Sequence, residues 1–308
     1  MLRDESAFSE SVHSRLLAMT DSLPVELRAL VQGLASRPGK GIRHRVMFAC
    51  AELGAPAPHR LAQVGAVVEA IHLASLMHDD VIDRSSVRRG LATAQVTAGV
   101  ELALLAGLAC IAAAGEAAAD LGIQLPVSES FAELTYGEML DVERAFDVGY
   151  LPEDYTELVR RKTGELFRLS CVLGATEAGL SAEIVEGLAS FGMEFGVAFQ
   201  VRDDCLDLDL VQQQKPAGSD LLLGLFGAPV LHALRMDGGG DLARMLLDPE
   251  LGAGDLPRIA HRVDASGGLR IAREAADQVY ADAVSSVSWI PGVTRVTALT
   301  DDLWRSLP

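Results

Sequence analysis

Apolar residues recur at helical spacing through almost the whole chain, and no stretch alternates in the way a half-buried strand would. Short punctuation breaks the pattern: "SRPGKG" at 36 to 41, "GAPAPH" at 54 to 59, "RSSVRRG" at 84 to 90, "VGYLPED" at 148 to 154 and "QQQKPAGSD" at 212 to 220. Later breaks are "MDGGGD" at 236 to 241, "DASGG" at 264 to 268 and "IPG" at 290 to 292. No repeat, low-complexity tract, long linker or strand-turn-strand pattern interrupts them. The expectation is an all-α protein, a single domain over residues 1–308 built as a bundle of about a dozen helices. Composition agrees: 49% of residues are hydrophobic, Ala and Leu dominate, and aromatics are only 5%.

A net charge of −17 argues against broad electrostatic binding to nucleic acid or anionic membrane, so an anionic ligand must meet a local basic pocket. Cys50, Cys110, Cys171 and Cys205 lie far apart without CxxC spacing, which fits reduced core thiols in a cytoplasm. The start, "MLRDESAFSESVH", has no basic region followed by an apolar one, and no secretory signal is expected. The longest uncharged run, residues 102 to 115, falls short of the roughly 18 residues a span needs. It reads as a buried core helix, with no transmembrane segment expected.

Glu69, His72, Leu76, Asp79 and Asp83 recur at three- and four-residue steps, which puts His72, Asp79 and Asp83 on one helical face. Asp79, Asp80 and Asp83 form a DDxxD motif. Two carboxylates about 4 Å apart repel by roughly 4 kcal/mol at an effective dielectric of about 20, and acids at a helix C-terminus oppose its dipole. Something cationic must offset this. Far downstream, "FQVRDDCLDLD" at 199 to 209 places Gln200, Asp203, Asp204 and Asp207 on one face as well.

One acidic turn is common on a solvated helix, but two DDxxD copies on apolar helices need an explanation. Carboxylate oxygens favour hard cations, and Mg²⁺ is held by a few carboxylates together with substrate phosphates. Two facing DDxxD walls would bind a diphosphate through shared magnesium. Basic residues cluster in "GKGIRHR" at 39 to 45, "RRG" at 88 to 90, "RRKTGELF" and at Lys215, in a chain with only 26 Lys and Arg. Arg and Lys are natural partners of phosphate oxygens. Two anionic groups are therefore expected, one bridged by metal and one held by bases.

With "GKGIR", "EAIHLASLMHDDVIDRSSVRRG", "GEMLD", "YTELVRRKTGELF", "GVAFQVRDDCLDLD", "KPAGSD" and "GAPVLHAL" in order, the chain resembles the all-trans polyprenyl diphosphate synthases from about residue 36 onward. The first 35 residues carry the weakest resemblance. The likeness implies helices around a deep central cavity with both acidic motifs at its mouth. It implies Mg²⁺ on Asp79, Asp80, Asp83, Asp203, Asp204 and Asp207, an allylic diphosphate held by Arg88, Lys162 and Lys215, and isopentenyl diphosphate held by Lys40, Arg43, His72 and Arg89. Thr163 and Gln200 would flank the forming cation. A homodimer is implied as well.

In such enzymes the residue five before the first DDxxD commonly sets the cavity floor; here it is Ala74, followed by Ser75, with Ile71 one turn deeper. Alanine leaves the floor open, so a product longer than geranylgeranyl diphosphate is expected. Departures from the family pattern are Gly41 and His44 for an Arg and a Pro, Leu108 for an Asp, and Leu225 and Gly227 where Lys and Thr are frequent. The rival readings are a geranylgeranyl or shorter synthase, a class I terpene cyclase, and a non-catalytic subunit of a heteromeric synthase. The second DDxxD argues against the cyclase, and retention of both motifs argues against the subunit.

Overall fold

The computed structural model describes residues 4–37, 39–212, 218–238 and 240–306. Helices carry nearly all of the regular structure, as the apolar spacing requires. Backbone packing divides the chain into two compact units. The first takes Met1–Ala132, Leu166–Ala189 and Ser288–Thr300; the second takes Glu133–Glu165, Ser190–Val287 and Asp301–Pro308.

The first unit is organised around the helix Pro58–Ile82. Ala57 is extended and Pro58 occupies the first turn, where its fixed φ suits the helix and its missing N–H costs nothing. Leu61, Val64, Val67, Val68, Ile71 and Met77 are all buried along this rod. Each fully buried side chain of this size stabilises the fold by about 1.5–3 kcal/mol. The rod packs most extensively on the helix Val100–Asp120, whose Ala103, Ala106, Cys110 and Ala114 are small enough to let the two approach closely. The helix Glu5–Met19 also packs on it. Asp4 caps that helix, its carboxylate accepting from the Ser6 N–H at 3.0 Å and from the Ala7 N–H.

Beyond Ile82 lies a feature the sequence reading did not anticipate. Val87–Arg88 and Leu91–Ala92 pair as antiparallel strands, with Arg88 opposite Leu91. Arg89 (φ 52°) and Gly90 (φ 75°) are both left-handed, the two-residue turn whose twist matches a hairpin. Two-residue strands are too short to show alternation, and Arg is not a customary residue at the first turn position.

The reading of residues 102 to 115 as a short, buried core helix needs correction. Three helices are long and apolar enough to cross a membrane by length and composition: Pro58–Ile82, Val100–Asp120 and Ala182–Val211. Counting only uncharged residues stopped the second at 115, whereas the helix continues to Asp120. Their apolar windows are 67%, 39% and 50% buried inside the protein, respectively. Val100, Leu104, Leu105 and Leu108 are among the residues the second helix leaves exposed.

In the second unit, Ala228–Met236 packs on Gly268–Ser286 over a core that includes Leu158, Val201, Leu208, Phe226, Leu231 and Ile259. The helix Pro152–Val159 widens into a π turn over Arg160–Gly164. Such bulges re-aim side chains and recur at functional sites, and this one contains Lys162 and Thr163. The helix Ala182–Gln212 carries the second acidic motif, with Cys205 and Leu208 buried and Asp203 exposed.

Candidate active site

In the first unit, a cavity of about 260 Å³ is lined by Lys40, His72 and Arg89 together with His44 and Glu69. Arg43 joins this group, its Nη1 lying 3.2 Å from His72 Nε2. Its guanidinium also sits 4.9 Å from the centre of the Phe167 ring. Burial brings the Arg43 guanidinium down to about 10, against the opposing charges of Glu69 and Asp79. Its Nε is buried with no acceptor. An unsatisfied N–H on a buried cation is what an arriving anion would complete.

His72 is held well below the ordinary imidazole range, first by burial and then by the Arg43 charge, so it stands neutral near physiological pH. Burial lowers Arg89 as well, while its Nη1 donates to the Arg37 carbonyl at 2.8 Å. Of the four residues that the resemblance assigns to isopentenyl diphosphate, Lys40, His72 and Arg89 thus line one cavity, and Arg43 contacts it through His72. Ala74 and Ile71 are fully buried on the same helix as His72, and the Ser75 hydroxyl donates to the His72 carbonyl at 2.9 Å.

The first acidic motif divides in two. Asp80 is buried, and Arg88 Nε donates to its Oδ1 at 2.6 Å. Burial still raises the Asp80 carboxyl, with Arg88 and Arg89 working against it. Arg88 thus lies against an aspartate of the first motif. The hairpin brings this about by returning Arg88 onto the end of the helix, and Asp80 and Arg88 together line a second cavity of about 380 Å³. Asp79 and Asp83 are half-buried.

In the second unit, Lys162 Nζ lies 2.6 Å from Asp141 and 2.8 Å from Glu138, both in "GEMLD". Arg144 Nε donates to Asp141 Oδ1 at 2.6 Å, and its Nη1 donates to the Phe226 carbonyl at 2.6 Å. Burial raises the Asp141 carboxyl, but Lys162 and Arg144 outweigh it and hold the group below its ordinary value. The Thr163 hydroxyl donates to Gln200 Oε1 at 2.9 Å, and Gln200 Nε2 donates to Asp204 Oδ1 at 3.0 Å. Asp204 Oδ2 accepts from the Tyr155 hydroxyl at 2.7 Å and from the Ala228 N–H at 3.1 Å. Tyr155 in turn lies under the Arg144 guanidinium, 4.9 Å from it.

A pocket of about 130 Å³ is lined by Asp203, Asp204, Asp207 and Asp220, with Gln200 and Leu225. Burial pushes both Asp204 and Asp207 up to about 6, and neighbouring carboxylates add to it. The Gly218 N–H donates to Asp207 Oδ2 at 2.9 Å. So dense a set of carboxylates fits a hard cation. Among the described residues no group of three or more His, Cys, Asp or Glu is arranged to hold a metal by itself.

Gly227 is explained by this pocket, because a Cβ there would lie 2.9 Å from Asp204 Cγ. Leu108 is 58% exposed, so the missing Asp leaves an apolar surface. Lys215 lies outside the described residues. Sequence reasoning overlooked Glu138, Asp141, Arg144, Tyr155 and Asp220 as parts of the site. The "GEMLD" acids were visible as a motif, but nothing in the spacing tied Tyr155 to Asp204.

The polyprenyl synthetase family pattern matches residues 24–249. The nonaprenyl diphosphate synthase of Mycobacterium tuberculosis is 31% identical over 311 residues, covering 96% of this chain and 92% of that protein. The solved heptaprenyl diphosphate synthase of Staphylococcus aureus superposes with a TM-score of 0.88 at 25% identity, over 99% of this chain and 98% of that one. A polyprenyl synthase from Caulobacter crescentus, solved with calcium and isoprenyl diphosphate, gives 0.88 at 27% identity over 96% and 92% of the two chains.

Proposed function

The chain belongs to the polyprenyl synthetase family, and from that membership we propose that it condenses isopentenyl diphosphate with an allylic diphosphate into an all-trans polyprenyl diphosphate longer than geranylgeranyl. The observation that carries this reading is the grouping of Lys40, His72 and Arg89 at one cavity, with Arg43 against His72, on and beside the helix that bears the first DDxxD. Three cations and a neutral imidazole suit the diphosphate of a substrate whose carbon end is apolar.

We assign Asp79, Asp80, Asp83, Asp203, Asp204 and Asp207 to magnesium. When bound, the ion offsets the negative charge that grows on the leaving diphosphate. Arg88, Lys162 and Lys215 bind that same group and withdraw charge from it, so the allylic C–O bond ionises. The Thr163 hydroxyl and the Gln200 side chain flank the carbocation. The isopentenyl double bond attacks it, and a proton leaves to the departed diphosphate. Apolar walls keep out water, which would quench the cation.

Two further readings follow from single observations. Ala74 presents no bulk on the acidic-motif helix, which supports a long product. Exposed Leu104, Leu105 and Leu108 on one helix support a homodimer that covers them, since monomers rarely leave such apolar groups in contiguous patches. Light scattering tests this, and Leu108→Glu should favour the monomer.

The deciding experiment incubates the protein with isopentenyl diphosphate, Mg²⁺ and geranyl, farnesyl or geranylgeranyl diphosphate, then measures product chain length. Linear products beyond geranylgeranyl are expected. Cyclic hydrocarbons would replace the reading with a terpene cyclase, and no turnover would point to a subunit that needs a partner.

A further inference from the structure

Gly41 and His44 both depart from the family pattern, and the structure makes them depend on each other. Gly41 precedes the helix Ile42–Ala51 in the left-handed region, at φ 60° and ψ 28°. A Cβ on Gly41 would run into the His44 ring, with Nε2 only 2.6 Å away and Cε1 closer still. The ring occupies the space that any side chain at 41 would need.

The ring is also bonded at both nitrogens. His44 is buried; Nδ1 lies 2.7 Å from Glu69 Oε1, and Nε2 lies 3.0 Å from Ser9 Oγ. Ser9, on the first helix, and Glu69, on the acidic-motif helix, line the same cavity as Lys40, His72 and Arg89. The charge of Arg43 acts on Glu69. A single imidazole therefore links three segments around the cluster of bases.

We propose that Gly41 and His44 are a matched pair that positions the isopentenyl diphosphate subsite. The bare Gly41 admits the ring, and the ring fixes Glu69 and the first helix against the segment carrying Lys40 and Arg43. His44 acts through Glu69 and Arg43 and is a positioning residue. The first helix, where the family resemblance is weakest, thereby becomes a wall of the site. The substrate named here rests on the function proposed above.

A double-mutant cycle tests the pair. Gly41→Ala incurs the same left-handed backbone strain with or without His44, so the cycle with His44→Ala isolates the steric contact. The expected result is that Gly41→Ala lowers Tm markedly in the wild-type background and much less in the His44→Ala background. Equal lowering in both overturns the pairing.

Kinetics test the positioning role. His44→Ala should raise KM for isopentenyl diphosphate about tenfold while kcat and the allylic KM change less than about twofold. His44→Asn, which keeps a donor for Glu69, should recover part of the loss. Ser9→Ala, which removes a surface-helix hydroxyl, serves if His44→Ala does not fold and should raise the same KM several-fold. An unchanged isopentenyl KM in Ser9→Ala and in whichever His44 variant folds overturns the role. If wild-type protein forms no prenyl product, the functional reading fails separately. The Tm cycle still decides the pairing, and calorimetric titration of the same variants with inorganic pyrophosphate decides the positioning.

Discussion

The Tyr155 hydroxyl donates to Asp204 Oδ2 at 2.7 Å, tying the helix before the π turn to the second acidic motif. Tyr155→Phe keeps the ring and its contact with Arg144 but removes one donor from a buried carboxylate. A loss of about 1.5–3 kcal/mol is expected, the usual scale for a hydrogen bond to a charged group. Denaturant unfolding measures it. Unchanged stability would mean that the Gln200 and Ala228 donors suffice.

Gly227→Ala should move the Asp204 carboxyl, since the new Cβ would lie 2.9 Å from its Cγ. Overpacking of this kind costs about 1–3 kcal/mol. Turnover should fall along with Tm. A variant with wild-type stability and turnover would show that Asp204 can yield without consequence.

Asp79→Ala and Asp203→Ala should each leave far-UV circular dichroism unchanged while lowering turnover with magnesium by orders of magnitude. Near-normal turnover in either would remove that motif from the metal assignment.

Ala74→Phe places a ring on a fully buried position of the acidic-motif helix. The expected outcome is a shorter product at similar primer consumption, read by chromatography of the dephosphorylated prenols. The same product distribution as wild type would refute Ala74 as the floor.

Glu69 supplies a pH test away from the acidic motifs. Burial raises its carboxyl, but the His44 hydrogen bond, with the neighbouring His44 and Arg43, prevails and holds it at about 2. A depressed carboxyl stabilises the fold fully above its ordinary value of 4.5, and that stabilisation is lost as pH falls towards 2. Glu69→Gln should therefore be less stable than wild type near neutral pH, with the gap closing between 4.5 and 2 in pH-resolved unfolding. A gap independent of pH would contradict the assignment.

What the sequence discloses follows from what spacing encodes. A period of 3.6 residues fixes which side chains share a face, so the Glu69, His72 and Asp79 stripe and the Gln200, Asp203, Asp204 and Asp207 stripe are both legible before any coordinates. The choice among Coulomb partners is not encoded in that period. Lys162 settles on Glu138 and Asp141, and Arg88 on Asp80, because a π turn and a two-residue hairpin aim them there. Both devices are too short to leave a pattern. Gly227 reads as a loss in the sequence and as a requirement in the structure, because the group it accommodates lies on another helix.

The Arg88–Asp80 bridge described above has a thermodynamic consequence. On the assignment proposed above, a phosphate oxygen that takes the Arg88 Nε–H would draw it from Asp80 and leave that carboxylate for a cation. Anion and cation then favour each other's binding at this helix end by one shared factor, as reciprocity demands. On the assignment proposed above, a diphosphate alone would leave Asp80 unpaired and a metal ion alone would leave Arg88 unpaired, whereas the two together would leave neither charge without a partner.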